Sequence, residues 1–251
     1  MRVMSYNILC GGQAHVNGTD RLADILTVAT SAAPDILALQ EANHFDRPEV
    51  ADRFAKALGL PFHALSVARA YEDGERYHVA VFTRYHIVMD HNFSENRFQS
   101  VAQSLMLNTP LGRISLVNLH LHASNEAKRL QEITTVLAYQ KQFPCQIVLG
   151  DFNAVSRKDT YPPGQSEFEP LTLVTDKMSG RLTDLFGDVP GGPHWTHPSR
   201  AVADHDRKVP RRIDYIYASP DLAARAANPS VLRTKATHRA SDHFPIIVDF
   251  D

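Results

Sequence analysis

The stretch IVLGDFNAVS, Ile147 to Ser156, ends an apolar run at Gly150 and then sets Asp151 and Asn153 two positions apart around Phe152. In extended backbone, residues two apart point to the same side, so this carboxylate and carboxamide could face one ligand. Gly, Asp and Asn are also the residues with which a chain ordinarily leaves a strand. The choice between turn and site depends on what the other apolar runs lead into.

VMSYN ends at Asn7, ILALQE at Glu41 and LVNLH at His120, while Asp214 opens IDYIY and Asp242 and His243 precede FPIIVDF. If strands run in both directions, these ends and starts meet at one rim, a usual place for a ligand crevice. Glu and His are not preferred turn residues, so turn chemistry does not account for the whole set. Oxygen donors from Glu, Asp and Asn suit a hard cation, Mg2+ or Mn2+, that keeps waters and binds phosphate oxygens. Histidines beside such a site suit proton transfer and charge stabilisation better than zinc binding.

The elements that must carry these residues follow from pattern. RVMSYNI and DILALQE read as strands. TDRLADILTVATSAA reads as a helix with Thr19 or Asp20 as N-cap, stopped by Pro34. RPEVADRFAKALG reads as a second helix, ending at Gly59. YHVAVFTR, HIVMDHNF, VAQSLMLN and GRISLVNLHL then follow with short turns, which predicts antiparallel pairing. NEAKRLQEITTVLAYQKQ, Asn125 to Gln142, is an amphipathic helix that packs on the core, and CQIVLG is the next strand. Asn153 to Arg212 reads as a long irregular region, after which RIDYIYAS, a segment near Val231 and FPIIVDF close the chain as strands. The mixture predicts a single α/β domain over residues 1–251, with mixed sheets and outer helices.

Composition narrows the function classes. The formal net charge is −2, so the global basic surplus of a protein that grips long duplex DNA is missing, although DRKVPRR (Asp206 to Arg212) is locally basic. Two cysteines, Cys10 and Cys145, build neither a disulfide framework nor a CxxC metal site, and Cys10, just after the first strand, reads as a small packed residue ahead of the alternative, a neighbour of a site. No apolar run approaches the roughly 20 residues of a membrane helix. No signal-peptide stretch is seen, so with Met1 as the start a cytoplasmic protein is expected; a monomer is expected as well.

Three other constellations fall short of a motif. Ser241, Asp242 and His243 are consecutive, whereas the members of a serine-hydrolase triad come from separate segments. His194 and His197 of HWTH, with His205, fit no standard zinc signature. Trp195 reads as a substrate-stacking residue or a loop anchor, and Arg97 as a phosphate contact or a solvated charge. Arg211 and Arg212 read as substrate contacts or exposed charges.

SYN, LQE, NLHL, GDFN, RIDYIY and SDHFP occur in the order seen in the endonuclease/exonuclease/phosphatase superfamily, and the chain resembles these deoxyribonuclease-I-like phosphohydrolases from Tyr6 to Pro245. The resemblance implies a four-layer α/β sandwich of two packed mixed sheets flanked by helices. It implies a divalent-metal-dependent hydrolase of phosphate esters: a phosphodiesterase, phosphatase or nuclease. It assigns Glu41 as the principal metal carboxylate, with Asn7 reaching the metal directly or through water and Asp242 completing the shell. Asp151 and Asn153 would flank the phosphate, Asp151 orienting the water or joining a second metal position. His120 would stabilise the phosphate or assist the leaving group, and Asp214 would orient His243. The sequence leaves His243 and Asp151 as rival bases. A small or flexible phosphate ester is the leading substrate. Nucleic acid ranks second because of the near-neutral charge, and a catalytically inactive binding module ranks third because every metal carboxylate and the terminal His are present. One departure is YHVAVFTRYHI in place of a YGVAILSRYPI-like hairpin, with His78 and His86 expected on the strand surface.

Overall fold

The computed structural model describes residues 1–13, 20–68, 76–93, 98, 100–160, 171–189, 194–201 and 209–251. The chain runs through β1 (Arg2–Asn7), α1 (Leu22–Ala32), β2 (Ile36–Gln40), α2 (Pro48–Leu58), β3 (Phe62–Ser66) and β4 (Val79–Thr83). Then come β5 (Ile87–Asn92), β6 (Val101–Thr109), β7 (Gly112–His120), α3 (Glu126–Gln140) and β8 (Gln146–Asp151). The last part holds α4 (Leu173–Ser179), β9 (Thr183–Asp184), β10 (Asp214–Ala218), α5 (Pro220–Ala223), β11 (Ala226–Val231), α6 (Thr237–Ala240) and β12 (Ile246–Phe250).

The strands form two six-stranded sheets, ordered β11-β12-β1-β2-β4-β3 and β5-β6-β7-β8-β10-β9. Both are mixed: β1 is parallel to β2 and antiparallel to β12, and β8 is parallel to β7 and antiparallel to β10. Side-chain alternation sorts each strand between two cores. Val3, Ile36, Ala38 and Val81 of the first sheet pack with Leu105, Leu116, Ile147, Leu149 and Ile216 of the second. Met4, Tyr6, Leu37, Leu39 and Phe82 point the other way, onto Ile25 and Val28 of α1 and Phe54 of α2. Val117, Leu119, Val148, Tyr215 and Tyr217 meet Ile133 and Val136 of α3 and Val174 of α4. Helices, sheet, sheet and helices give the four-layer sandwich.

Local chemistry sets the ends of the helices. The N-cap of α1 is Arg21, without a capping side-chain bond, rather than Asp20, which lies one position earlier and whose Oδ1 accepts the Leu22 N–H at 2.9 Å; Thr19, the other cap candidate, lies outside the described residues. Gly59 closes α2 at φ 66°, and Asn125 Oδ1 accepts the Lys128 N–H at 3.0 Å to start α3. Among the described residues, no helix is long and apolar enough to cross a membrane.

Three sequence expectations are corrected here. The irregular region contains α4 and β9, elements too short to show a period; tertiary contacts hold that part of the chain. Chief among these is Arg212, neither exposed nor free for substrate: it is fully buried, 2.9 and 2.8 Å from the two Asp184 oxygens and 3.0 Å from Asp159. His78 is buried as well, its Nδ1 accepting the Ala68 N–H at 3.0 Å and its carbonyl the N–H of Ala42, in the loop after β2, at 2.8 Å. His86 does lie exposed, edge-on to Phe62. Strand β3, which carries no clear apolar alternation, was not anticipated; it is placed by its pairing with β4.

Candidate active site

The alternation that fills the core between the sheets also builds the site. Asn7 is in step with Val3, Gln40 with Ile36 and Ala38, His120 with Leu116, Asp151 with Ile147 and Leu149, and Asp214 with Ile216. All therefore project between the sheets at one rim. Register completes the convergence, because Asp151 pairs with His120 on one side and Asp214 on the other. Gly150 permits this close pairing: its φ is 132°, and a Cβ there would stand 2.0 Å from the Leu119 carbonyl oxygen.

Glu41 follows β2 in a left-handed conformation, φ 53°, with its carbonyl accepting the Gly11 N–H at 2.7 Å. Its side chain is fixed at both oxygens. Oε1 accepts Asn7 Nδ2 at 3.1 Å, and Oε2 accepts the Cys10 N–H at 2.9 Å and the Cys10 thiol at 3.5 Å. Asn7 Nδ2 also donates to Asp151 Oδ2 at 3.0 Å, so one amide group bridges the two carboxylates. The Leu9 N–H donates to Asn7 Oδ1 at 3.0 Å, which sets the orientation of the amide. Asp151 Oδ1 accepts the Asn153 N–H at 2.8 Å, and Asn153 Nδ2 donates to the Leu121 carbonyl at 3.0 Å.

Histidines surround this acidic centre. His243 Nδ1 lies 2.8 Å from Asp214 Oδ2, leaving Nε2 3.7 Å from Asp151 Oδ2 and 4.0 Å from Asp242 Oδ1. His120 Nε2 is 3.6 Å from Asp151 Oδ2, and His197 Nε2 is 3.6 Å from Asp242 Oδ2. Only the Asp214–His243 contact is a hydrogen bond; the others leave space between the groups. Asp151 and Asp214 are each 2% exposed, His243 5% and Asp242 8%. Burial pulls the His243 pKa down, but the carboxylates of Asp214, Asp242 and Asp151 outweigh it and push the value up to about 10. At His197 burial prevails over Asp242, and the pKa falls below the usual histidine range.

The donor set fits a hard divalent cation. Glu41, Asp151 and Asp242 crowd negative charge into a largely buried space, and Asp214 Oδ1 is buried with no hydrogen-bond partner among the described groups. A cation relieves that concentration of charge, and carboxylate and amide oxygens are the ligands Mg2+ and Mn2+ prefer. In the present arrangement Asn7 turns its nitrogen, not its oxygen, toward the carboxylates. Among the described residues, two groups bring three ligand atoms within 4.8 Å of one another: Asp151, Asp214 and His243, and His197, Asp242 and His243. Glu41 belongs to neither and joins the cluster through Asn7.

Of the remaining sequence candidates, Arg97 lies outside the described residues. Trp195 is half-buried; its carbonyl accepts Arg233 Nη2 at 2.6 Å, and its Nε1 is buried with no hydrogen-bond partner among the described groups. Of the two sequence readings of Cys10, packed residue or neighbour of a site, the structure bears out the second: it holds Glu41. Three other features of the site carry no sequence expectation. Thr196 Oγ1 accepts the Ile213 and Asp214 N–H groups at 3.1 and 3.2 Å. Ser241 Oγ donates to the Asn7 carbonyl at 2.7 Å. Gln40 Nε2 donates to Asn118 Oδ1 at 2.7 Å, a polar floor between the sheets. Alternation could have found Gln40 and Asn118; the backbone contacts carry no residue signature.

The profile of the Endonuclease/Exonuclease/phosphatase family matches residues 4–243. No curated protein matches the chain. Among solved structures, the 3′ phosphatase NExo from Neisseria, bound to product DNA hairpin, is similar with a TM-score of 0.73 at 21% identity, over 100% of this chain and 99% of that one. An AP endonuclease from Archaeoglobus fulgidus gives a TM-score of 0.75 at 16% identity, over 100% and 99% of the two chains. Truncated TDP2 from Caenorhabditis elegans gives 0.67 at 18% identity, over 99% and 96%. At these identities the likeness is one of fold.

Proposed function

This chain belongs to the endonuclease/exonuclease/phosphatase family, and on that premise we propose that residues 1–251 form one catalytic domain, a Mg2+- or Mn2+-dependent hydrolase that directs water onto the phosphorus of a small or flexible phosphate ester. The observation that carries this reading is the chain Asp214–His243–Asp151, in which Nδ1 is committed to Asp214 at 2.8 Å and Nε2 faces Asp151 at 3.7 Å.

Glu41, Asp151 and Asp242 would hold the ion, with the amides of Asn7 and Asn153 beside them. When bound, it neutralises charge on a non-bridging phosphate oxygen and so lowers the barrier to an anionic nucleophile. The protein groups manage the proton. Asp214 accepts from His243 Nδ1 and so fixes the ring and its tautomer. His243 Nε2 and Asp151 Oδ2 border one space and are the two candidate acceptors of the attacking water's proton; His243, whose pKa the surrounding carboxylates push up to about 10, serves only once cation charge offsets them. His120 and Asn153 supply donors toward the developing negative charge, each a contribution of about 10²-fold. Trp195 and Arg97 are the candidate substrate contacts.

The net charge of −2 favours a compact or flexible substrate over long duplex DNA. A nuclease or a DNA-end phosphatase is the second reading, supported by the end-to-end likeness to the 3′ phosphatase and the AP endonuclease. The test is a panel of aryl phosphodiesters, inositol phosphates, sphingomyelin, single strands and duplex DNA, each with Mg2+, Mn2+ or EDTA, run beside Glu41→Gln. Metal-dependent hydrolysis that EDTA abolishes and Glu41→Gln lowers by about 10²-fold is expected. Hydrolysis undiminished in EDTA, or equal in Glu41→Gln, would overturn the reading.

A further inference from the structure

His197 takes no part in the proposed hydrolysis, yet the fold delivers it to the site with care. The Thr196 and His197 N–H groups donate to the Arg211 carbonyl, each at 3.0 Å, and the Arg211 N–H donates back to the His197 carbonyl at 2.8 Å. The Phe244 N–H donates to the Thr196 carbonyl at 2.7 Å, and the Ser199 N–H to the Asp242 carbonyl at 2.6 Å. This loop is thus fastened on both sides of His197 to the strand starts that bear Asp214 and Asp242–His243. The residue is 6% exposed, and its Nδ1 has no hydrogen-bond partner among the described groups. The His197 and His243 rings lie 4.9 Å apart, tilted by 53°, on either side of the Asp242 carboxylate.

We propose that His197, Asp242 and His243 form a second cation site, selective for a borderline divalent ion such as Zn2+ or Co2+, and that its occupation withdraws Asp242 and His243 from hydrolysis. Two imidazole nitrogens and one carboxylate oxygen suit such ions, whereas the all-oxygen group around Glu41 suits Mg2+. Ligand atoms around a tetrahedral Zn2+ stand about 3.3 Å apart, from bonds of about 2.0–2.1 Å. Here His197 Nε2 stands 3.6 Å from Asp242 Oδ2 and His243 Nε2 4.0 Å from Asp242 Oδ1, and one ligand atom from each of the three residues lies within 4.8 Å of the others, so closure draws the three side chains together. The outer partner is already in place: Asp214 holds His243 Nδ1 at 2.8 Å, the carboxylate–histidine arrangement that orients a metal-binding imidazole. That contact also disfavours the alternative group, since it makes Asp214 an outer residue rather than a ligand. Each imidazole binds in its neutral form, so uptake releases any Nε2 proton to solvent. The fourth position stays open to water or to a phosphate oxygen.

The inhibitory half of this inference rests on the hydrolase reading; the binding half does not. The binding test titrates the full chain with Co2+ in excess Mg2+ and follows the visible bands of the bound ion, in wild type, His197→Ala and His197→Gln. Both variants should bind Co2+ at least about 10-fold more weakly. In the wild-type protein, Zn2+ should shift the ring NMR signals of His197 together with those of His243, which requires no variant to fold. Equal Co2+ affinity in folded variants, or unmoved His197 signals, would overturn the site. The second assay measures the Zn2+ concentration that halves Mg2+-supported hydrolysis, relative to each variant's own activity. It should rise by a similar factor; an unchanged value would overturn the inhibitory half. Hydrolysis without a Co2+ site sinks this inference alone, whereas a His197-dependent Co2+ site without hydrolysis of any phosphate ester sinks the functional reading and leaves the site standing.

Discussion

Asp214 and His243 meet at 2.8 Å across the two sheets: Asp214 opens β10 in one, and His243 stands just before β12 in the other. The hydrogen bond therefore ties the sandwich together at the rim that carries the acidic cluster. It also makes the two side chains one unit, because the imidazole presents Nε2 to Asp151 only while Nδ1 is held.

Acting as a unit, they should be non-additive. His243→Ala should lower kcat/KM on one phosphodiester by roughly 10²–10⁴-fold, the span of a positioned acid or base. Asp214→Asn should lose a large part of the same amount, and the double variant should be little worse than His243→Ala. A double-variant loss equal to the product of the single losses would show independent action and leave Asp151 as the better base.

Gly150→Ala should destabilise the fold by about 3 kcal/mol or more, since the new Cβ would fall 2.0 Å from the Leu119 carbonyl oxygen at a φ of 132°. Gly59→Ala serves as the control: its φ is 66°, but nothing lies within 4 Å of the added Cβ, so about 1 kcal/mol is expected. Urea unfolding of the two variants separates steric clash from backbone strain. Similar losses would mean that β7 and β8 can part at Gly150 without cost.

Acid should destabilise the protein partly through His78. Burial, the largest effect, lowers its pKa against the opposing charge of Asp46, and its Nδ1 must stay unprotonated to accept the Ala68 N–H. The unfolded chain takes up this proton from about pH 6.5 downward, before the folded one does. In that window the unfolded state binds more protons, so stability is complete above it and falls as pH drops toward the lower folded value. His78→Asn retains an acceptor but does not titrate. Urea midpoints between pH 7.5 and 5 should therefore decline less steeply in the variant, and parallel declines would remove His78 as a cause.

Long duplex DNA should bind weakly at physiological salt, with a Kd no tighter than about 1 μM, because a chain of net charge −2 has few counterions to displace. Labelled duplex titrated at two salt concentrations in Ca2+ supplies the measurement. Nanomolar affinity with a steep salt slope would promote the nuclease reading over the small-ester one.

The sequence by itself determined the strands that carry the site, the polar residue that ends or opens each of them, and the side of the strand on which it lies. Alternation is a local property, and Val3-Ser5-Asn7 or Ile147-Leu149-Asp151 display it without reference to the rest of the chain. The family motifs added the family and its four-layer fold. Tertiary structure alone decided which polar atoms face one another. The Asn7 amide is oriented by the Leu9 N–H, Glu41 is held by the backbone of Cys10, and Asp214 finds His243 only because the two sheets pack. Arg212 shows the same limit, since a basic run in the sequence becomes a buried strut once Asp184 and Asp159 reach it. Backbone donors look alike in every residue but proline, and pairing across sheets depends on register between distant segments. Neither leaves a mark on the local order of side chains, so only the packed chain could bring these groups together.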